Sequence, residues 1–158
     1  MEKADIYKIL ENVLDPEVPV LNILDLGIVR DVILRGSGIE VVITPTYTGC
    51  PAMNVIEFQI KMELAVAGFK DAKVKTILKP AWTTDWMTEA GKQKLLNYGI
   101  VPPQYLTSEA GFRTSGAIPC PLCKSIDTEI LSEFGSTACK SLYRCKDCLE
   151  PFDYFKCH

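Results

Sequence analysis

Four cysteines near the C-terminus constrain this chain more than any other feature. Cys120-Pro-Leu-Cys123 and Cys145-Lys-Asp-Cys148 form two C-x-x-C knuckles with 21 residues between them. The two-residue spacer lets both thiolates of a pair aim at one centre, and a hairpin between the pairs brings them together. Four thiolates suit tetrahedral Zn²⁺, whose closed four-cysteine sites are structural. Residues 118–158 therefore read as a zinc ribbon. Without metal its forty or so residues bury too little apolar surface to fold.

Composition removes several classes. The chain has 158 residues, 47% of them hydrophobic and 23% charged, which is ordinary for one or two globular domains. A formal net charge of -3 argues against a general nucleic-acid binder, which needs a basic surface. No apolar run approaches the roughly 18 residues that span a bilayer, so no membrane partner is expected. Seven cysteines would fit a secreted disulfide scaffold, but the number is odd and four sit in knuckles. The N-terminus Met1-Glu2-Lys3-Ala4-Asp5 also lacks an apolar signal core. A reducing cytoplasm is the expected location.

Upstream, periodicity changes along the chain. Ile6, Ile9, Leu10, Val13 and Leu14 recur at helical spacing over 4–14. Asp15-Pro16 is the expected stop, because the residue before proline avoids the α region. Asp15 to Gly27 reads as an ordered loop. Val32 and Leu34, then Ile39, Val41 and Ile43, alternate around Gly36-Ser37-Gly38 as a β-hairpin. Pro51 to Ala67 carries Met53, Ile56, Ile60, Leu64 and Ala67 on one helical face, and Gly68 is a natural end. Residues 72–79 alternate as a third strand, and Thr88 to Asn97 form a short helix. The α-β-β-α-β-α order predicts an α+β domain over 1–98: a small mixed sheet with its helices on one side. Residues 99–117, with Pro102, Pro103, Gly111 and Gly116, read as a linker.

Two constellations could carry chemistry. Thr46-Tyr47-Thr48-Gly49-Cys50-Pro51 leads from the hairpin into the long helix. Proline is favoured at the first helical position, so Pro51 is expected at N1 and Cys50 at the N-cap. A thiol there meets free backbone N–H groups and the positive end of the helix dipole. Cys50 is thus a candidate reactive thiol or metal ligand, or simply a buried cap. The second constellation is Asp15, Glu17 and Asp25 in a proline-stiffened loop. They are either oxygen ligands for a transient metal, a docking surface, or turn-forming residues. Cys139, Cys157 and His158 lack knuckle spacing, and form a second metal site or only hairpin filler and a chain end. Trp82 and Trp86 are expected to cover the sheet edge or the ribbon. No nucleotide-binding glycine loop, Ser/His/Asp set or di-iron carboxylate–histidine motif is found. With no catalytic residue to name, the reading is of a non-enzyme.

Asp15-Pro16-Glu17-Val18-Pro19-Val20, Ile23-x-Asp25-Leu26-Gly27-Ile28-Val29 and Thr48-Gly49-Cys50-Pro51 resemble the paired motifs of a small α+β family of iron–sulfur cluster assembly factors. SufT and its eukaryotic relatives belong to it. Pro80-Ala81-Trp82-Thr83-Thr84-Asp85-Trp86, Gly91-Lys92-Gln93-Lys94-Leu95, Pro102-Pro103 and the ribbon resemble the PaaD (PaaJ) family of phenylacetate-degradation proteins, which extends the likeness over nearly the whole chain. The resemblance implies an accessory protein of aerobic phenylacetate catabolism that helps iron–sulfur cluster assembly in, or maturation of, the reductase of the phenylacetyl-CoA epoxidase, a ring 1,2-oxygenase. It implies the reductase and oxygenase subunits as partners. Cys50 would be the reactive cysteine, and Asp15, Glu17 and Asp25 the acidic motif of a cluster or metal relay. Its cargo would be iron or a transient iron–sulfur cluster at Cys50. Two alternatives stay open: a structural subunit of the oxygenase, and a rubredoxin-like electron carrier with iron in the knuckles. A homodimer in which two Cys50 thiols meet also stays open.

Overall fold

A computed structural model describes residues 2–36, 38–103 and 117–156. Its first compact unit runs to Gly91 and its second begins at Lys92.

In the first unit, α1 (Lys3–Leu10) buries Ile6 and Leu10. It stops earlier than its apolar period, which continues through Val13 and Leu14. The backbone of those residues is used elsewhere. Val13 accepts a hydrogen bond from Ile23 N, and Leu14 bridges Asn22. Tertiary pairing with the next loop thus overrides helix propensity. That loop is part of the core: Leu21, Ile23, Leu26 and Ile28 are at most 1% exposed.

β1 (Val29–Arg35) and β2 (Gly38–Ile43) pair antiparallel, with Val32 opposite Val41. The register shifts between Val29 and Asp31, a bulge that re-aims Arg30. α2 (Ala52–Val66) then crosses to β3 (Lys73–Thr76), which joins β2 in parallel. The sheet order is β1-β2-β3. Ile56, Ile60 and Leu64 on α2 are each at most 1% exposed, and the helix touches α1 and β3. This is the expected mixed sheet with helices. The helix faces pack on one another and on the sheet, as α1 touches both α2 and β1. Among the described residues no helix is long and apolar enough to cross a membrane.

α3 (Glu89–Tyr98) begins in the first unit and continues into the second. The expected linker begins with a strand instead: β4 (Ile100–Val101) pairs in parallel with β7 (Pro151–Phe155). β5 (Thr128–Ser132) and β6 (Lys140–Cys145) complete a sheet of order β4-β7-β6-β5. Two buried residues of the expected linker thus serve the ribbon, where Val101 packs with Cys120, Cys145 and Phe152. Residues 104–116 lie outside the described residues, as do Cys157 and His158. Two of the four buried residues in the Val101 cluster are knuckle cysteines.

Candidate functional site

The knuckles are built alike. Cys120 N donates to Ser125 O at 2.8 Å, and Cys145 N donates to Glu150 O at 3.0 Å. Each chain leaves its second cysteine through a left-handed residue, Lys124 at φ 66 and Leu149 at φ 64. The four sulfurs lie within 4.8 Å of one another. Cys120 and Cys148 are 3.7 Å apart, and Cys123 and Cys145 3.5 Å. A tetrahedral ion with metal–sulfur arms of about 2.3 Å needs sulfur–sulfur edges of about 3.8 Å. The donor set and spacing therefore fit a four-coordinate metal, and this is a structural metal site.

As free thiols the four divide. The backbone N–H of Cys148, 3.5 Å from Cys145 Sγ, leads in lowering Cys145 to about 7. Burial opposes that shift, while Asp147 N–H and the Cys123 and Cys148 thiols assist it. At Cys148 the Glu150 N–H lowers, but burial and the three neighbouring thiols outweigh it and push the group to about 12. For Cys120 burial opposes ionisation, but the N–H groups of Cys123 and Leu122 and the thiols of Cys148 and Cys123 prevail and lower it. At Cys123 the Ser125 N–H lowers, but the Cys145 thiol, burial and Cys120 prevail and raise it. A bound cation would ionise all four and release the remaining protons.

Cys50 stands at the other candidate site. Its N–H donates to Tyr47 O at 3.3 Å, and Met53 N donates to Cys50 O at 3.2 Å. That i to i+3 bond tightens the entry, so α2 starts at Ala52 and Pro51, already helical at φ -67, takes the cap position. The sequence places both one residue earlier. No side chain caps the helix and no acidic residue lies in its first turn. Gly49 turns the chain at φ 80 with open space around it, and Cys50 is half-buried.

The acidic loop is occupied by its own backbone. Asp15 Oδ1 accepts from Glu17 N at 2.7 Å and from Val18 N at 2.8 Å. Asn22 Oδ1 accepts from Asp25 N at 2.7 Å, while Asp25 Oδ2 accepts from Asn22 N at 3.2 Å. This reciprocal pair has the bonding pattern of a capping box, closing a turn rather than starting a helix, and its three-residue spacing is legible in the sequence. The segment after β3 clamps the loop. Trp82 Nε1 donates to Leu26 O at 2.8 Å, Thr88 N donates to Asp25 O at 2.9 Å, and Thr88 Oγ1 lies 3.3 Å from Asp25 Oδ1. Arg30 lies 3.5 Å over the Trp86 ring. The tryptophans therefore cover residues 25–30, because an indole N–H in the interior needs an acceptor and Leu26 supplies it.

The structure does not gather Cys50, Asp15, Glu17 and Asp25 into one ligand group. Among the described residues, the knuckle cysteines form the one set of three or more ligand atoms close enough to share a metal. Cys139 is buried beside Thr137 Oγ1 at 2.9 Å and stands apart from that set. The sequence reading missed Asn22, and it missed Thr44, whose buried hydroxyl has no hydrogen-bond partner among the described residues.

Fold and cysteine geometry together define an iron–sulfur-assembly type of α+β domain joined to a metal-binding ribbon. Residues 3–76 match the family described as iron–sulfur cluster assembly protein, and residues 107–156 match the PaaD zinc beta ribbon domain. The chain is 48% identical over 157 residues to a protein of Escherichia coli K12 named as a putative subunit of 1,2-phenylacetyl-CoA epoxidase, covering 97% of this chain and 92% of that protein. The chain belongs to the PaaD family. It is also 36% identical over 95 residues to an Fe-S protein maturation auxiliary factor of Porphyromonas gingivalis, covering 59% of this chain and 90% of that one. A crystal structure of a DUF59 domain from Bacillus anthracis superposes with a TM-score of 0.54 at 29% identity, over 58% of this chain and 89% of the other. A conserved hypothetical protein of Thermotoga maritima gives 0.51 at 26% identity, over 60% of this chain and 94% of the other.

Proposed function

We propose that this chain is a non-enzymatic accessory of phenylacetate catabolism, acting in the cytoplasm on an iron–sulfur component of the phenylacetyl-CoA epoxidase, its reductase. The observation that carries the reading is Cys50: a half-buried thiol on an uncapped helix start, within a domain of the assembly family. The named roles of the relatives support the same assignment. Cys50 contributes one thiolate to iron or an iron–sulfur unit, which is cargo here. Cys50 belongs to no set of three or more ligand atoms among the described residues, so the client completes the coordination. The four-thiolate site is resident and structural, and zinc is its ion. Asp15 and Asp25 set the shape of the loop through their bonds to backbone N–H groups.

The test is to produce the reductase with and without this chain and measure its iron, sulfide and flavin. Iron and sulfide are expected to fall without the chain, and Cys50→Ser is expected to reproduce that loss while leaving fold and ribbon metal intact. Full loading with Cys50→Ser would move the assignment to the second reading, a structural subunit of the oxygenase. The engaged Asp15 and Asp25 carboxylates favour that second reading.

A further inference from the structure

Each knuckle of the ribbon has a residue beside its sulfurs whose backbone serves the metal site. Ser125 O accepts from Cys120 N at 2.8 Å, and the Ser125 N–H favours the thiolate at Cys123. The Asp147 N–H does the same for Cys145. Cys123 and Cys145 belong to different knuckles, and their sulfurs lie 3.5 Å apart. The side chains of Ser125 and Asp147 also meet, with Ser125 Oγ donating to Asp147 Oδ2. The same Oγ accepts from Asp127 N at 3.0 Å, and Lys146 N donates to Asp127 O at 2.9 Å. A hydroxyl has one proton to give, and with Asp127 N–H on its acceptor side that proton goes to Asp147. We propose that Ser125 and Asp147 are positioning residues of the metal site: their side-chain bond clasps the two knuckles along the Cys123–Cys145 edge and slows release of the resident ion. Partners of this kind, outside the ligands themselves, orient the ligands and tune the metal.

The knuckles are otherwise built alike, so the difference between their edges is informative. Counted from the cysteines, Leu122 stands where Asp147 does and Glu150 where Ser125 does. An aliphatic side chain accepts no hydrogen bond, so the same bond cannot form along the Cys120–Cys148 edge. The clasp is therefore one-sided. The nearby ion pair is a weaker tie: Lys146 Nζ and Asp127 Oδ1 are 3.2 Å apart, on side chains 48% and 60% exposed. Ser125 is half-buried, and its hydroxyl donates and accepts at once. A carboxylate is also a stronger acceptor than a neutral oxygen. The clasp presupposes a resident ion at the four-thiolate site and is independent of the Cys50 relay.

The experiment follows release of zinc from the full, zinc-loaded chain to a chromophoric chelator. It then repeats the loading with Co²⁺, whose sulfur-to-metal charge-transfer band reports on the thiolates. Ser125→Ala and Asp147→Ala are each expected to speed release at least about threefold, the effect of one hydrogen bond. The double variant is expected to release no faster than the quicker single variant, because both remove the same bond. Ser125→Thr keeps the hydroxyl and is expected to retain the parent rate. Lys146→Ala, which removes only the exposed ion pair, is expected to change the rate less than about twofold. In the cobalt form the ligand-field bands of a four-sulfur site are expected to stay in place. The charge-transfer band is expected to move to lower energy in Ser125→Ala and Asp147→Ala, as the two N–H groups drift from their sulfurs. A mere loss of ribbon stability leaves that band where it is. Parent release rates in both alanine variants would overturn the proposal. So would additive effects in the double variant, an unmoved charge-transfer band, or a Ser125→Thr chain that releases as fast as Ser125→Ala. A parent chain that takes up neither metal would instead overturn the site and the clasp together.

Discussion

A Cβ at Gly27 would lie 2.2 Å from the Trp86 carbonyl oxygen, in a residue already at φ +68. Backbone cannot yield there as a flexible side chain would. Gly27→Ala is therefore expected to lower stability by at least about 2 kcal/mol, combining left-handed strain with a backbone clash. Gly49 has φ +80 and open space around it, so Gly49→Ala carries the conformational cost alone, about 1–2 kcal/mol. Urea denaturation of the two variants measures the difference, and equal losses would refute the clash. The contrast also shows what a sequence conveys at this scale. Both glycines stand out in their motifs, but only the folded chain shows that Trp86 occupies the space beside one of them. Asp15 and Asp25 are conspicuous as carboxylates, but only the fold shows that neighbouring backbone N–H groups, and for Asp25 the Thr88 hydroxyl, engage them. Thr44 was hidden for a different reason. Strand alternation sets it on the face opposite Ile43, and both faces are buried where the central strand ends.

At the level of elements, the helices and strands follow from apolar periodicity wherever one face is buried and the other is wet. α2 is the clearest case, with Ile56, Ile60 and Leu64 enclosed. Ile60→Ala should cost about 2–5 kcal/mol, read by thermal or urea unfolding. A loss below about 1 kcal/mol would mean that this face is not packed as described. α1 and β4 were less legible because neighbours decide them: the 21–23 loop pairs with the chain after α1, and β7 recruits Ile100 and Val101. The ribbon has a different dependence. Its cluster of Val101, Cys120, Cys145 and Phe152 draws half its members from the metal site, so metal supplies what burial cannot. A strong chelator is expected to abolish amide protection in β5, β6 and β7 while α1, α2 and β1–β3 keep theirs, as followed by hydrogen exchange. Acid should act similarly, because protons compete for the same sulfurs. Retention of ribbon protection without metal would refute the structural role of the site.

For the whole molecule, the decisive quantity is how much metal the isolated chain retains. The four-thiolate site offers four converging sulfurs; Cys50, among the described residues, belongs to no set of three or more ligand atoms. A single thiolate cannot hold an iron–sulfur unit against competition from solvent and chelator, whereas four converging thiolates hold a structural ion tightly. The purified chain is therefore expected to carry one tightly bound metal, zinc, and to be colourless. Cys50→Ser should leave that stoichiometry unchanged, while Cys123→Ser should remove it. Alkylation gives the complementary measurement. In a Cys157→Ser background, iodoacetamide should modify half-buried Cys50 ahead of buried Cys139 and ahead of the metal-held thiols, as located by peptide mass. Elemental analysis and a visible spectrum check both the count and the ion. Stoichiometric iron with strong visible absorption, lost in Cys123→Ser but not in Cys50→Ser, would make the ribbon an electron carrier. Strong absorption lost in Cys50→Ser would instead mean that the chain stores its cargo alone.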